Sequence, residues 1–260
     1  MSRLSNLSRS IEHKVAIVTG AASGMGRATA HLFADEGARL AIVDINADTL
    51  EAVALETRGA GAEVLAIAAD CSVHEQVSGF VQKTADHFGA IDILINNAGL
   101  ALPTAIDDDE NYDRHWQISM DVMLNAQQWA IRSALPWLRK AEHPRIVNIA
   151  STEALGATAY NSAYVVAKHG VVGLTRALAV ELGKEAITVN AICPGPIRTG
   201  ITEGIPDADK DLFARRRTCL RRYGVPEEVA HMTLSLVLPC ASYITGAAIP
   251  VDGGVTIRNA

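Results

Sequence analysis

The sequence predicts an α/β fold: a doubly wound parallel sheet with helices on both faces, built as one domain. Short runs of Val, Ile and Leu alternate with longer amphipathic stretches from Val15 to Ile249, a pattern typical of strands that alternate with helices. The chain has 260 residues, of which 49% are hydrophobic, enough to bury a large core. We therefore predict a single domain over residues 14–260. A flexible N-terminal tail, residues 1–13, precedes it and lacks the apolar centre of a signal peptide.

A glycine-rich turn follows the first predicted strand. The apolar run Val15–Val18 leads into Thr19–Gly26, and a helix-like stretch begins at Arg27. Glycines let the backbone turn tightly and approach a pyrophosphate closely, while the free N–H groups and the positive end of the helix attract it. The order of strand, glycine turn and helix predicts a Rossmann-like dinucleotide site. The cofactor contacts expected in this turn are Gly20, Ser23, Gly24, Met25 and Gly26.

A carboxylate at the end of the second predicted strand indicates which dinucleotide is bound. The run Leu40–Val43 ends in Asp44, eighteen residues beyond Gly26. A carboxylate in this place accepts hydrogen bonds from the adenosine ribose diol and repels the additional phosphate of NADP. The sequence therefore favours NAD.

Two proton-carrying side chains share a helical turn in the second half of the chain. Tyr164 and Lys168 are four residues apart, and Ser151 lies thirteen residues before the tyrosine. A neighbouring cation lowers the pKa of a tyrosine from about 10 by favouring the phenolate. We expect Tyr164 to act as the general base, Lys168 to lower its pKa, and Ser151 to hold the reacting oxygen.

These motifs, in this order, make the chain resemble the classical short-chain dehydrogenase/reductase family from about Lys14 to Gly254. The glycine turn matches the family's Thr-Gly-x-x-x-Gly-x-Gly element, and the catalytic triad falls at the family's spacings. The segments that carry the resemblance are Thr19–Gly26, Asn96–Gly99, Ser151, Tyr164 with Lys168, and Pro194–Thr199.

The resemblance implies further contacts with the cofactor and a homotetrameric assembly. It also implies a mobile substrate lid over about residues 196–222. In the family, the lysine binds the nicotinamide ribose and an aspartate lies near the adenine ring. The additional cofactor contacts implied in this chain are Asp70, Cys71, Asn97, Ala98, Gly99, Tyr164, Lys168, Pro194, Gly195, Ile197 and Thr199.

One position departs from the family's pattern. The family carries a catalytic Asn about forty residues before the tyrosine, where it supports a water relay to the lysine, but Met123 occupies that place here. A thioether accepts hydrogen bonds only weakly. Asn125, two residues on, does not share its helix face. The relay is therefore expected to be rebuilt with water and backbone, or to be weakened.

The resemblance implies hydride transfer between a secondary alcohol and NAD. Two alternatives stay open from the sequence. The first is a carbonyl or 3-oxoacyl reductase, against which Asp44 weighs because reductive routes usually use NADPH. The second is an NAD-binding scaffold without catalysis, which only Met123 favours.

The residues expected to meet the substrate are Ser151, Glu153, Tyr164 and Arg198. Glu153 suits the hydroxyls of a sugar or polyol, or else is a solvated acid or the partner of a local cation. Arginine forks suit anionic groups, although these arginines also suit an exposed helix face or a subunit contact. The lid segment is rich in such forks: Arg215, Arg216, Arg217, Arg221 and Arg222.

Composition narrows the class of partner. A net charge of −6 argues against general binding to nucleic acid or anionic membranes, and no run of eighteen apolar residues occurs. The eight histidines are scattered without ligand spacing, so no metal site is expected. Four cysteines without a disulfide pattern fit a cytoplasmic setting. We expect a small-molecule substrate and no nucleic acid or membrane partner.

Overall fold

The computed structural model describes residues 6–258, and its centre is a sheet of seven parallel strands. The strands lie in the order β3-β2-β1-β4-β5-β6-β7. This arrangement is the doubly wound α/β fold predicted from the sequence. In chain order the strands are β1 (Val15–Thr19), β2 (Arg39–Asp44), β3 (Val64–Ala68), β4 (Ile93–Asn96), β5 (Arg145–Ile149), β6 (Thr188–Pro194) and β7 (Ala248–Val251).

Helices cover both faces of the sheet. Helices Tyr112–Met120 and Ala126–Leu138 are joined by a π-helical segment, Asp121–Asn125. The helices are α1 (Gly24–Asp35), α2 (Ala47–Gly59), α3 (His74–Phe88), α4 (Tyr112–Met120), α5 (Ala126–Leu138), α6 (Ser162–Leu182), α7 (Gly200–Glu203), α8 (Asp207–Arg217) and α9 (Pro226–Val237). Within residues 6–258, no helix is long and apolar enough to cross a membrane.

Alternate residues of the central strands pack into two core layers. On β1, Ala16 and Val18 face the layer formed with α1, α2 and α9, where Phe33 is buried. Val15 and Ile17 face the opposite layer, formed with α3, α5 and α6. Because strand side chains alternate between faces, a strand buried on both sides reads as a continuous apolar run, which is how β1 appears in the sequence.

The described part of the predicted N-terminal tail packs against the domain. Ile11 is buried in the core, the backbone N–H of Cys240 donates to the carbonyl of Ser8 (3.0 Å), and His13 N–H donates to Gly37 (2.8 Å). Residues from Ser8 to His13 therefore contact the domain, because an apolar residue in their middle reaches the core, and the flexibility of the tail stays a prediction. Residues 1–5 of that segment lie outside the described range.

The strand order reverses between β1 and β4. The chain runs outward from β1 to β2 and β3, then returns to the other side of β1. The carboxyl ends of adjacent strands therefore diverge, leaving a crevice where open α/β sheets bind their ligands. The candidate functional site lies at this edge of the sheet.

Candidate active site

The glycine turn after β1 has a backbone that only glycine fits. Gly20 has a φ of +66° and Gly24 a φ of +53°, both in the left-handed region. A Cβ on Gly26 would lie only 2.0 Å from the carbonyl oxygen of Gly20. The turn therefore brings bare backbone and the N-terminus of α1 to the crevice, a cradle that fits a pyrophosphate.

The Asn-Asn-Ala-Gly segment after β4 holds this turn in place through hydrogen bonds. The side-chain amide of Asn97 donates to the carbonyls of Thr19 (2.8 Å) and Gly20 (3.1 Å). In return, the hydroxyl of Thr19 accepts from the backbone N–H groups of Asn97 (2.9 Å) and Ala98 (3.0 Å). These bonds join the ends of β1 and β4, so the cofactor cradle is rigid before any ligand binds.

The predicted ribose carboxylate lies at the rim of the same crevice. Asp44 accepts from the backbone N–H of Ala22 (3.0 Å) with one oxygen and from Asn46 (3.0 Å) with the other. These two contacts leave lone pairs on both oxygens for further donors, because each carboxylate oxygen accepts more than one hydrogen bond. The fixed charge suits a diol and opposes a phosphate at this place.

The aspartate expected near the adenine ring and the cysteine that follows it come shortly after β3. Asp70 accepts from the backbone N–H (2.8 Å) and hydroxyl (2.7 Å) of Ser72. Burial, with the charges of Asp70 and Asp44, raises the pKa of the Cys71 thiol to about 12. Cys71 is therefore an uncharged packing residue beside the cofactor site.

One cleft of about 350 Å³ joins the glycine turn to the residues predicted to be catalytic. The structure thus brings together most of the sites predicted from distant parts of the chain. The lining does not include Gly26, Asp70, Cys71 or Ala98. The lining residues that the sequence predicted are Gly20, Ser23, Gly24, Met25, Asp44, Asn97, Gly99, Ser151, Tyr164, Lys168, Pro194, Gly195, Ile197 and Thr199.

Ser151 lies where β5 ends and a short 3₁₀ turn begins. Its hydroxyl oxygen accepts the backbone N–H of Glu153 (3.1 Å), which caps the turn Thr152–Ala154. Because that N–H occupies a lone pair, the hydroxyl hydrogen is free to point at another oxygen. Ser151 also shares a hydrogen bond with Tyr164, which favours the phenolate.

Lys168 is buried on α6, one turn beyond Tyr164. Its ammonium donates to the carbonyl of Ile149 (2.8 Å), at the end of β5, and lies 5.6 Å from the centre of the Tyr164 ring. Burial lowers the pKa of Lys168 to about 8, with a small opposing effect from Cys193. Desolvation dominates because only 3% of the residue is exposed.

The pKa of Tyr164 differs from the sequence-based expectation. Burial raises it, the hydrogen bond with Ser151 lowers it, and the nearby charge of Glu153 raises it further. The lowering of this pKa by the charge of Lys168 stays a prediction. Desolvation of the phenolate outweighs the favourable contact with Ser151.

The residues expected to contact the substrate are not all in the cleft. Glu153 is partly buried beside Tyr164, with one carboxylate oxygen accepting from Thr158 (2.8 Å) and the other buried without a hydrogen-bond partner. Arg198 lies outside the lining, in an ion pair with Asp207 (2.8 Å). The spacing of residues on α8 could not reveal that pair, because the arginine comes from the preceding loop.

The lid arginines also lie away from the cleft lining. Arg222 forms a double hydrogen bond with Glu228 (2.8 and 2.6 Å) at the start of α9. Arg215, Arg216 and Arg217 end the helix α8, and all three are exposed. In this arrangement the five-arginine cluster faces solvent and α9, in keeping with the sequence-based alternative of an exposed helix face.

Sequence reasoning missed a buried chain of amides behind the catalytic helix. The amide of Asn96 donates to Asn148 (2.8 Å), whose amide donates to the hydroxyl of Thr175 (3.0 Å). This chain connects β4, β5 and α6, so it fixes the helix that carries Tyr164. The sequence signal for this chain of amides is a polar residue inside an otherwise apolar strand. Burying a polar side chain costs free energy unless it has hydrogen-bond partners that are also buried.

No group of three or more His, Cys, Asp or Glu side chains suited to a metal ion occurs within the described range. The same part of the chain contains the four cysteines, all free.

The fold and this cleft define a dinucleotide-dependent oxidoreductase, and comparison with known proteins identifies its family. The family model described as enoyl-(acyl carrier protein) reductase matches residues 20–256. The chain belongs to the classical short-chain dehydrogenase/reductase family. Members of this family use NAD or NADP as cofactor.

Relatives align over nearly the whole chain. The (2S)-[(R)-hydroxy(phenyl)methyl]succinyl-CoA dehydrogenase subunit BbsD of Thauera aromatica is 38% identical over 94% of this chain and 97% of its own length. The meso-2,3-butanediol dehydrogenase of Serratia marcescens is 37% identical, covering 95% and 96%. A short-chain type dehydrogenase/reductase from Mycobacterium marinum superposes with a TM-score of 0.89 at 32% identity, covering 96% of this chain and 98% of that one.

Proposed function

We propose that this protein is an NAD-dependent dehydrogenase that oxidises a secondary alcohol. The observation that carries the proposal is that Ser151, Tyr164 and Lys168 line the same cleft as the glycine cradle and Asp44. A cofactor in the cradle and an alcohol beside the tyrosine would thus share one enclosed space. When bound there, NAD supplies the hydride acceptor.

The chain's own residues handle the proton and the oxygen. Tyr164, as phenolate, removes the hydroxyl proton, and the Ser151 hydroxyl donates to the oxygen as it becomes a carbonyl. Lys168 supplies a positive charge one turn away and a donor for the nicotinamide ribose. Because burial raises the pKa of Tyr164, ionisation needs added positive charge, which the oxidised cofactor provides.

We favour NAD over NADP because of the fixed carboxylate at the end of β2. Asp44 is held by two backbone N–H groups, so it cannot easily turn away from a 2′-phosphate. Bringing that phosphate next to the carboxylate would weaken binding by ~10²-fold or more.

A polar, hydroxylated substrate such as a sugar or polyol is our preferred class. The support is Glu153, whose second carboxylate oxygen has no hydrogen-bond partner among the described residues. A substrate hydroxyl would satisfy it after a modest rotation of the side chain, since one unpaired buried acceptor costs about 1–3 kcal/mol. Arg198 would have to leave Asp207 before it could bind an anionic substrate group.

A carbonyl or 3-oxoacyl reductase is the second candidate. The raised pKa of Tyr164 favours it, because a phenol that stays protonated at neutral pH is the proton donor that ketone reduction requires. The relatives include a 3-oxoacyl-[acyl-carrier-protein] reductase from Thermotoga maritima, 34% identical. A non-catalytic NAD-binding scaffold is the third reading, which the shared cleft of the three catalytic side chains opposes.

We further propose a cytoplasmic homotetramer. The α6 helix is apolar on its outer side as well as its inner side, with Val166 42% and Val180 86% exposed. One sheet can cover only one side of a helix, so the outer side suits a symmetry mate.

The proposed function is tested by measuring binding of NAD and NADP calorimetrically, then the reduction of both by a panel of alcohols. The panel pairs cyclohexanol with 1,2-cyclohexanediol, and a sugar with the same sugar bearing a carboxylate. We expect NAD to bind at least ~10²-fold more tightly and the hydroxylated alcohols to be oxidised fastest. Equal cofactor affinities would contradict the NAD assignment, and tight NAD binding without turnover would favour the scaffold.

A further inference from the structure

Met123 lies where a buried helix meets the catalytic lysine. It is the central residue of the π-helical segment Asp121–Asn125 and has no exposed surface. A Cβ placed on Gly99 would lie 3.7 Å from the ammonium nitrogen of Lys168 and 3.9 Å from Cγ of Met123. The methionine and the lysine therefore both lie near Gly99, the last residue of the Asn-Asn-Ala-Gly segment.

The π-helical turn explains why this side chain points inward. A π-turn holds one more residue than an α-turn, so it shifts the register of the helix face and is often found at functional sites. The neighbouring amide is used elsewhere: Asn125 donates to the carboxylate of Asp121 (2.7 Å), on a partly exposed side. The side chain at position 123, which lies near Gly99 as the lysine does, is a thioether, a weak acceptor that holds water poorly.

Few polar groups surround the lysine. Its hydrogen-bond acceptor among the described residues is the carbonyl of Ile149. Among the described residues, the titratable groups facing it are Tyr164 on α6 and Cys193 on β6, and the charge of Glu153 acts on Tyr164. The buried thioether of Met123 offers no strong hydrogen-bond acceptor, and burial keeps the ammonium poorly solvated.

We propose that Met123 is a positioning residue that closes the α5 side of the Lys168 pocket to water, so that the lysine exchanges protons with solvent only through the cleft. This proposal rests on the proposed function, because Lys168 acts there on Tyr164 and on the cofactor ribose. It concerns this chain's own departure at position 123.

The dry pocket sets an upper limit to the working pH. Burial lowers the pKa of Lys168 to about 8. The ammonium is therefore charged below that pH and becomes neutral as the pH rises through it, well before a solvated lysine would at about 10.4. Loss of the charge removes support for the Tyr164 phenolate and for the ribose, so kcat/KM falls on the alkaline side.

The experiment compares the parent with Met123→Leu, which stays apolar, and with Met123→Gln, which has nearly the same length but brings a polar amide. Met123→Asn is the second polar variant, should glutamine disturb folding. Each full-length protein is labelled at the lysine ε-carbons, and the Lys168 resonance is titrated by NMR, with Lys168→Arg used for assignment. We expect the parent and Met123→Leu to titrate near pH 8, and the polar variants higher by about one unit or more.

The alkaline limb of kcat/KM is then measured with NAD and an oxidised alcohol. The midpoint of this limb should shift to higher pH in the polar variants, in parallel with the NMR titration, and should not shift in Met123→Leu. If both polar variants fold and their Lys168 titrates at the same pH as in the parent, the proposal is overturned. If no alcohol is oxidised by any protein, the proposed function fails, whereas the NMR titration still decides whether Met123 keeps the lysine dry.

Discussion

Gly26 illustrates how single residues define the cofactor cradle. Any side chain at this position would clash with the carbonyl of Gly20. The glycine therefore lets the α1 helix begin directly against the end of β1. That contact is local in sequence, which is why the glycine pattern could predict it. The pKa of Tyr164 could not be predicted in the same way, because burial depends on residues distant in the chain that close over it.

We expect Gly26→Ala to lower the free energy of unfolding by about 3 kcal/mol and to abolish measurable NAD binding, because its Cβ would overlap backbone. The matched control is Gly79→Ala in the middle of α3, where a Cβ meets nothing within 4 Å. That change should raise stability by about 0.5 to 1 kcal/mol and leave cofactor binding unaltered. Urea unfolding and calorimetry measure both quantities, and equal behaviour of the two variants would show that the close approach at Gly26 is unimportant.

Glu153 carries the substrate preference and a predictable pH effect. Its carboxylate raises the pKa of Tyr164, so Glu153→Gln should lower that pKa. Alcohol oxidation needs the phenolate, so its rate rises with pH through this pKa. The acid limb of kcat/KM should therefore move to lower pH in the variant. Activity on 1,2-cyclohexanediol should fall ~10-fold relative to cyclohexanol, because the acceptor for the second hydroxyl has changed.

Thr158→Val is the control for that experiment. It removes the partner of the other carboxylate oxygen but keeps the charge, so the acid limb should stay in place. An unchanged pH profile together with an unchanged diol preference in Glu153→Gln would refute both roles given to Glu153.

At the scale of elements, the amide chain from β4 through β5 to α6 holds the catalytic helix in place. Asn148 is fully buried, accepting from Asn96 and donating to Thr175. We expect Asn148→Ala to cost about 2–4 kcal/mol, because it leaves the Asn96 amide unpaired and opens a cavity. Thr175→Val, which unpairs one donor at nearly constant volume, should cost less. Chemical denaturation ranks the two variants, and parent-like stability of Asn148→Ala would refute this role.

The elements show what a sequence pattern can and cannot predict. The strands and their order along the chain followed from apolar runs separated by amphipathic stretches, because burial on both faces imposes that pattern. The π-helical turn at Asp121–Asn125 could not be predicted from that pattern, since it changes the backbone register without noticeably changing the apolar spacing. The contacts of Arg198 and Arg222 were also undetermined, because these loop residues pair with acids on α8 and α9.

At the scale of the whole molecule, the exposed apolar side of α6 predicts assembly. Light scattering at micromolar concentration should report about four times the chain mass of 27.6 kDa. Val180→Glu, at an 86% exposed position of α6, should shift the protein towards smaller species. Leu55→Glu, at a 62% exposed position of α2, is the matched control and should leave the mass unaltered. A monomeric parent would contradict the proposed tetramer.

In the whole molecule, Tyr164 is proposed to transfer the proton while the cradle binds the cofactor independently. The most direct test is the rate of NAD reduction by the best alcohol of the panel, measured for the parent and for Tyr164→Phe, with NAD affinity measured on both. Phenylalanine keeps the ring and removes the hydroxyl, so turnover should fall ~10³-fold or more while the affinity for NAD changes little. Near-parent turnover in Tyr164→Phe would show that another group is the base and that the central claim is wrong.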